Sequence, residues 1–444
     1  MVLGSRVRRI AGAVVAAVIV VVDASSVGRH LLRLPAALTI AVGQEQGLAL
    51  GLPGRVAVAA AGPRAGLVVD GRALGAGWMD LPGGVLRLRP EAAGTYVLRL
   101  RPWGVLPWPA LRLDAVRMPR VVPGGQSVGL ILHMPGALVV GEGGVPTASG
   151  TEPSPAGAAG VRVGDYVLRM DGRPVADAAD VAAVLAQARG APVSAVVLDR
   201  GKVRHLTLRP LYDVTTRHYA LGVSLQGAVS GIGTLTFYDL QAHVFGALGH
   251  VVVDAGTGRP VRAFSGQLLP SFVVGVQPSR DGAPGEKLGV LLAGAPPIGL
   301  IRSNTPVGVF GRLLRTPAPG PAEEPLPVAL ADQVRPGPAE LLTVVRGGAV
   351  DAFSARILAV DPGGPPGGRG FLVEVTDPRL LQTSGGIVQG MSGSPLIQGG
   401  RLVGALTHVF VNDPATGYGV LAEWMALAAG LGPAPTAPGS ATGR

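Results

Sequence analysis

The 69 glycines and 40 prolines among 444 residues interrupt this chain about once in four positions, which leaves little room for helices of ordinary length. Between the interruptions the apolar residues alternate with polar ones. Val85-Leu86-Arg87-Leu88-Arg89 and Tyr96-Val97-Leu98-Arg99-Leu100-Arg101 both have the period of two that puts one strand face in a core and the other in water. The chain is therefore predicted to be mainly β, and its length calls for several domains, each with its own core. A net charge of +10 comes from arginines spread singly, without basic clusters or interleaved aromatics. That pattern gives no support for nucleic-acid binding and fits a mild attraction to anionic membrane surfaces. No cysteine is present, which excludes disulfides, thiol catalysis and cysteine-bound metal.

At the N-terminus Arg6, Arg8 and Arg9 precede an apolar run from Ile10 to Val22. Thirteen residues is short for a membrane span and matches the hydrophobic core of an export signal, with Ala24 and Ser26 as small residues suited to cleavage. The segment is expected to act as a signal or anchor, with the rest of the chain folded outside the cytoplasmic membrane. Short alternating strands then run from Leu34 to about Val116 and predict a small β domain. After Leu211 short strands resume and continue to about Gly430, a length that fits two six-stranded barrels. The proline-rich stretches 317–327 and 361–370 read as surface loops.

Two stretches carry chemistry. In Gly390-Met391-Ser392-Gly393-Ser394-Pro395 a serine stands between two glycines just ahead of a strand-like run. A serine hydroxyl needs a base to take its proton and donors to hold the resulting oxyanion, and glycines allow backbone amides to turn into one hollow. A hairpin turn is the bland alternative. Ser394 competes as nucleophile, but it precedes Pro395 and is biased to extended backbone. Of the seven histidines, His30, His133, His205 and His218 read as surface or strand residues, and His243 as structural. His250, after Phe245-Gly246-Ala247-Leu248-Gly249, is set to project from a strand end into a cleft, and His408 lies on the strand after the serine turn, placed to line the substrate cleft. The HExxH pattern is absent and no metal site or cofactor is predicted. Gly285-Glu286-Lys287 lacks the spacing of a phosphate loop.

The second stretch, Ser154-Pro155-Ala156-Gly157 through Gly164-Asp165-Tyr166-Val167-Leu168-Arg169-Met170-Asp171-Gly172, resembles bacterial PDZ domains. An amphipathic helix follows from Asp177 to Arg189, with Val181, Val184, Leu185 and Ala188 on one face. A PDZ groove takes a peptide as an added strand and receives its carboxylate on a glycine-containing loop. Ser127, Val128, Gly129 and Leu130 match that loop's position.

Gly231-Ile232-Gly233-Thr234-Leu235-Thr236-Phe237-Tyr238-Asp239, Phe245 to His250, Gly385 to Pro395 and Thr407 to Pro414 together closely resemble the SpoIVB family of stage IV sporulation serine peptidases. The resemblance implies four parts in order, a hydrophobic signal or anchor (1–30), a small β domain (31–117), a PDZ domain (118–210) and a chymotrypsin-like double β-barrel peptidase domain (211–430), while 431–444 read as a disordered tail. It puts the nucleophile at Ser392, the base at His250, the acid at Asp377 and the oxyanion hole at the amides of Gly390 and Ser392. Asp377 lies only fifteen residues before the serine, so Asp254 and Asp239 stand as substitutes. The implied activity is serine endopeptidase action in sporulation signalling. Its substrate would be a membrane-associated regulatory protein in the space between forespore and mother-cell membranes, with self-cleavage near the N-terminus. A non-catalytic PDZ peptide-binding protein and a general quality-control peptidase are the competing readings.

Overall fold

The computed structural model describes residues 37–50, 55–60, 66–75, 77–82, 85–102, 109–261, 265–292 and 294–432. The apolar run Ile10–Val22, His30 and residues 433–444 of the expected tail lie outside them. Among the described residues no helix is long and apolar enough to cross a membrane, and no group of three or more His, Asp or Glu side chains is placed to hold a metal ion. The chain divides into two compact units, one comprising residues 1–118 with 433–444 and the other residues 119–432.

In the first unit a five-stranded and a four-stranded sheet share one core. The first is ordered Ala37–Ala41, Leu111–Val116, Gly94–Pro102, Arg55–Ala60 and Met79–Pro82, the second Gln46–Ala49, Val85–Pro90, Leu67–Val69 and Arg72–Ala73. The alternation read from the sequence is realised in Val85–Pro90, where Leu86 and Leu88 are fully buried while Arg87 and Arg89 face water.

In the second unit a short strand, Arg120–Pro123, leads into a 16-residue strand, β1 (Ser127–Glu142). After it come a one-turn helix α1 (Pro155–Ala158), β2 (Tyr166–Met170), α2 (Ala178–Ala188), β3 (Val193–Asp199), β4 (Lys202–Leu208) and a 17-residue strand β5 (Val223–Asp239). Asp177 caps α2 by accepting from the amides of Ala179 and Asp180, and Arg189 closes it in a left-handed conformation ahead of Gly190. Val181, Val184 and Leu185 enter a core with Val139, Val167, Val197 and Leu221, and burial of each aliphatic side chain contributes about 2 kcal/mol.

The chain then forms β6 (Val244–Ala247), β7 (Ser265–Gln277), β8 (Gly299–Thr305) and β9 (Gly308–Leu313). Their pairings close a ring in the order β1-β7-β8-β9-β6-β5, with β5 returning to β1. This is the first barrel. The second is the closed ring of β10 (Gly337–Thr343), β11 (Asp351–Val360), β12 (Phe371–Val375), β15 (Asp413–Leu421), β14 (Arg401–Phe410) and β13 (Pro395–Gln398). Helix α3 (Pro378–Ser384) lies between β12 and β13, and α4 (Ala422–Ala428) follows β15. The expected mainly β, multidomain class with a double barrel is what the chain forms.

The expected boundary between 210 and 211 needs correcting. Strands β1 and β5 pair with each other twice, Ser127–His133 with Thr234–Ala228 inside the barrel and Leu138–Glu142 with Gln226–Val223 beyond it. Their far halves continue into the sheet β5-β1-β2-β3-β4. The PDZ-like sheet thus grows out of two strands of the first barrel. A local pattern cannot show this, because each half of either strand looks like an ordinary short strand.

Candidate active site

Ser392, His250 and His408 line one cleft of about 810 Å³, together with Leu130 and Leu132 of β1, Gln226 and Ala228 to Ile232 of β5 and the loop Val251–Val253. Strand β6 delivers the histidine. At its end Leu248 and Gly249 both take left-handed φ values, 68° and 74°, and this sharp turn sends His250 out of the sheet. The serine comes from the loop between α3 and β13. Gly393, at φ 93°, is needed there because a Cβ would lie 2.2 Å from the carbonyl oxygen of Thr234 and 2.5 Å from the amide of Leu248.

The serine loop is fastened to both barrels. Thr234 donates its hydroxyl to the carbonyl of Gly390 (2.9 Å) and its amide to the carbonyl of Ser392 (2.9 Å), while the Thr236 hydroxyl donates to the carbonyl of Gly393 (2.8 Å). Within the loop the amides of Met391, Gly393 and Ser394 donate to Val388, Leu406 and Met391. The amides of Gly390 and Ser392 donate to no acceptor among the described residues, and Gly390 has φ 88°. Two free donors flanking a serine are what an oxyanion requires.

Behind the loop lies a buried polar cluster that sequence reasoning missed. Lys287, 5% exposed, donates from Nζ to Thr343 Oγ1 (2.8 Å) and Thr234 Oγ1 (3.4 Å), and its own amide donates to the carbonyl of Gln389 (2.9 Å). Burial pushes its ammonium down to about 7. Ser394 is fully buried and donates to Thr343 Oγ1 (2.9 Å), so the alternative nucleophile is shut inside this cluster. An apolar strand pattern interrupted by a single lysine, Lys287-Leu288-Gly289-Val290, was the available signal.

The histidine side is held differently. Nδ1 of His250 lies 2.9 Å from the carbonyl oxygen of Val251. A carbonyl only accepts, so Nδ1 carries the proton and Nε2 keeps the lone pair that a general base needs. Burial lowers the His250 pKa, partly offset by that carbonyl. The ring of His408 stands 5.2 Å from that of His250, and burial, His250 and Arg369 lower the His408 pKa in turn. The loop after His250 is fixed by Asn304, which accepts from the amide of Val252 (2.8 Å) and donates to the carbonyls of Val252 (2.9 Å) and Val261 (3.0 Å). Ser392 and His250 share the cleft without a hydrogen bond between them, a resting geometry often met before substrate tightens a site.

Among the described residues no carboxylate is hydrogen-bonded or ion-paired to the His250 imidazole. Asp377, expected as the acid, is the N-cap of α3: it accepts from the amides of Arg379 (2.9 Å) and Ser354 (3.1 Å) and pairs with the Arg379 guanidinium at 2.9 Å. The Arg379 side chain first, then these amides, hold its carboxyl well below the usual range. The Asp-Pro pair at 377–378 has the N-cap and N1 pattern of a helix start, and that reading describes Asp377 here. The substitutes fare no better. Asp239 caps Gln241 and Ala242, and Asp254 accepts from Thr257 with Oδ1 while its buried Oδ2 has no partner among the described residues.

The loop assigned to Ser127, Val128, Gly129 and Leu130 is also corrected. All four lie inside β1, paired with Thr234 to Gly231 of β5, and the last three pair also with Pro270 to Leu268 of β7. Apolar residues from Val128 to Leu132 continue the strand, and Leu130 lines the cleft shared by Ser392 and His250. A glycine loop ahead of an open strand edge is found instead at Leu221-Gly222, before Val223–Gln226. Gly222 has φ 68°, and the amides of Leu221 and Gly222 donate to no acceptor among the described residues.

Residues 217–426 match the family of SpoIVB peptidase S55, and residues 148–199 match the PDZ domain. That stretch of the chain is therefore similar to the SpoIVB peptidase S55 family. Both barrel strands that deliver His250 and Ser392, and the serine loop itself, fall within the matched span. No curated protein matches the chain. Among solved structures, the inactive form of the Rv3671c protease is 18% identical, covering 45% of this chain and 84% of that one at a TM-score of 0.27. The active form of the M. tuberculosis Rv3671c protease is 16% identical, covering 45% of this chain and 73% of that one at a TM-score of 0.26. Those scores are too low to bear on the geometry of the SpoIVB-type site.

Proposed function

We propose that this SpoIVB-type serine peptidase cleaves proteins with Ser392 as nucleophile and His250 as base. The observation that carries the proposal is the pair of unengaged amides, Gly390 and Ser392, beside the one cleft-facing serine of the fastened loop. Nε2 of His250 takes the Ser392 proton as Oγ attacks a peptide carbonyl. The oxyanion is held by the two amides, and the imidazolium then protonates the leaving amine. Water, deprotonated by the same imidazole, releases the acyl group. The carbonyl of Val251 sets the tautomer in the position where a carboxylate serves in other serine peptidases.

The wider setting follows from the family resemblance and from residues outside the described ones. The chain is exported and associated with a membrane through Ile10–Val22, acts in sporulation signalling on a membrane-associated regulatory protein, and cuts itself near its N-terminus. Its PDZ region binds a protein segment. Purified protein should label with a fluorophosphonate probe and process itself, and Ser392→Ala should lose both, with a fall in rate on the order of 10⁶-fold. Self-processing undiminished by Ser392→Ala sinks the assignment.

A further inference from the structure

We infer that the PDZ region and the catalytic cleft hold one and the same extended substrate segment, laid antiparallel along a single open strand edge, with its free C-terminal carboxylate at Leu221-Gly222 and its scissile bond upstream at Ser392. This rests on the peptidase reading above. Strand β5 supplies the edge. From Val223 to Gly233 it pairs with β1 alone, and only from Leu235 does β6 cover its other side. The amide of Leu235 donates to Gln126 beside β1, whereas that of Thr234 turns the opposite way to Ser392. Strand alternation, undisturbed in register over this stretch, then turns the N–H and C=O groups of Ile232 and Ser230 away from β1 as well. Ile232 and Ser230 line the cleft that holds His250 and Ser392.

The same edge continues past Gly227. There a Cβ would meet the carbonyl of Ala176 at 2.5 Å, so the absence of a side chain lets the start of α2 close on the strand. Beyond it, Val223 and Leu225 pack into the core with Val181, Val184 and Leu185 of the helix. A segment added antiparallel to β5 ends beside Gly222, where two amides lack acceptors and suit a carboxylate. Followed upstream, it passes Gly227, Ser230 and Ile232 and arrives at Ser392, which touches β5 through Thr234. One substrate residue per strand residue puts the cut roughly ten to twelve residues before the substrate's C-terminus. The PDZ region would then keep the short C-terminal product while the long fragment leaves.

The test uses the full-length protein and a mixed-sequence pool of peptides of about 20 residues, offered with a free carboxylate, with a C-terminal amide, and with the free-carboxylate peptides lengthened at their N-terminus. Cut positions are read by mass spectrometry. The expected result is a cluster of cuts at the stated distance from the carboxylate, unmoved by lengthening, with kcat/KM about tenfold lower for the amides. Ser230→Pro removes an N–H that faces the cleft while sparing the β1 ladder, and should raise KM for the free-carboxylate peptides about tenfold with folding checked by thermal denaturation. Cuts scattered relative to the C-terminus, with amides and acids cleaved alike by an enzyme whose Ser392 still labels with fluorophosphonate, overturn the shared-edge inference and leave the peptidase reading standing. Absence of both cleavage and labelling overturns both.

Discussion

The two sides of the proposed catalytic cleft are built to different standards. On the serine side the loop 390–394 is fastened by Thr234 and Thr236 from the first barrel and backed by Lys287, Thr343 and Ser394. On the histidine side one backbone carbonyl and a neighbouring imidazole hold His250, and among the described residues no carboxylate is bonded to it. On the proposed mechanism the oxyanion donors are thus preorganised, and orientation of the base is the weaker half. Most of the rate enhancement of such a site is expected from the preorganised donors, and most of its sensitivity to substrate from the base.

The largest test of that contrast compares His250→Ala with Asp377→Ala. The first should cut kcat by about 10⁴-fold or more. The second should lower stability by about 1–2 kcal/mol through loss of the α3 cap, while kcat falls less than about tenfold. A loss in kcat near 10⁴-fold for Asp377→Ala, in fluorogenic peptide assays, would return that residue to the triad. Thr234→Val comes next. It removes the hydroxyl that positions Gly390, and kcat should drop about tenfold with KM nearly unchanged.

Lys287→Met probes the backing of the serine loop through pH. The folded-state pKa of about 7 lies below the 10.5 of an ordinary lysine, so between the two the unfolded chain binds a proton that the folded one does not. Wild-type stability relative to Lys287→Met should therefore rise from about pH 7 toward 10 and be flat below 7, as read by thermal denaturation at several pH values. A gap independent of pH across that window means that Lys287 keeps its ordinary pKa. The smallest effect concerns His250 itself. Burial disfavours its imidazolium, so the acid limb of kcat/KM should fall below about pH 6.5. A midpoint above that value would reveal a carboxylate against the ring, and the contrast between the two sides would fail.

Much of this architecture was legible from local patterns. Alternation in Val85–Pro90 foretold its buried and exposed faces, and Asp177 with the spacing of Val181, Val184 and Leu185 foretold helix α2. The glycines of 390–393 marked a loop of unusual backbone, and Leu248-Gly249 marked the turn that presents His250. What escaped was set by partners distant in sequence. Ser127 to Leu130 fit a glycine loop until the pairing with β5 and β7 is known. Asp377 is a carboxylate at a plausible spacing, and only Arg379 and Ser354 show that its oxygens are engaged elsewhere. Lys287 looked like part of a failed phosphate loop because its burial rests on Thr234 and Thr343, partners distant in sequence.

The long strand β1 also has a consequence for how the protein is made. Its barrel neighbours arrive late: Ser127 waits for Thr234, more than a hundred residues downstream, and Val128 for Pro270 later still. During synthesis the far half of β1 can pair with β2 as soon as Tyr166 to Met170 emerge, while the near half stays an uncovered apolar edge. The PDZ region therefore ripens first and tethers the strand around which the first barrel must later close.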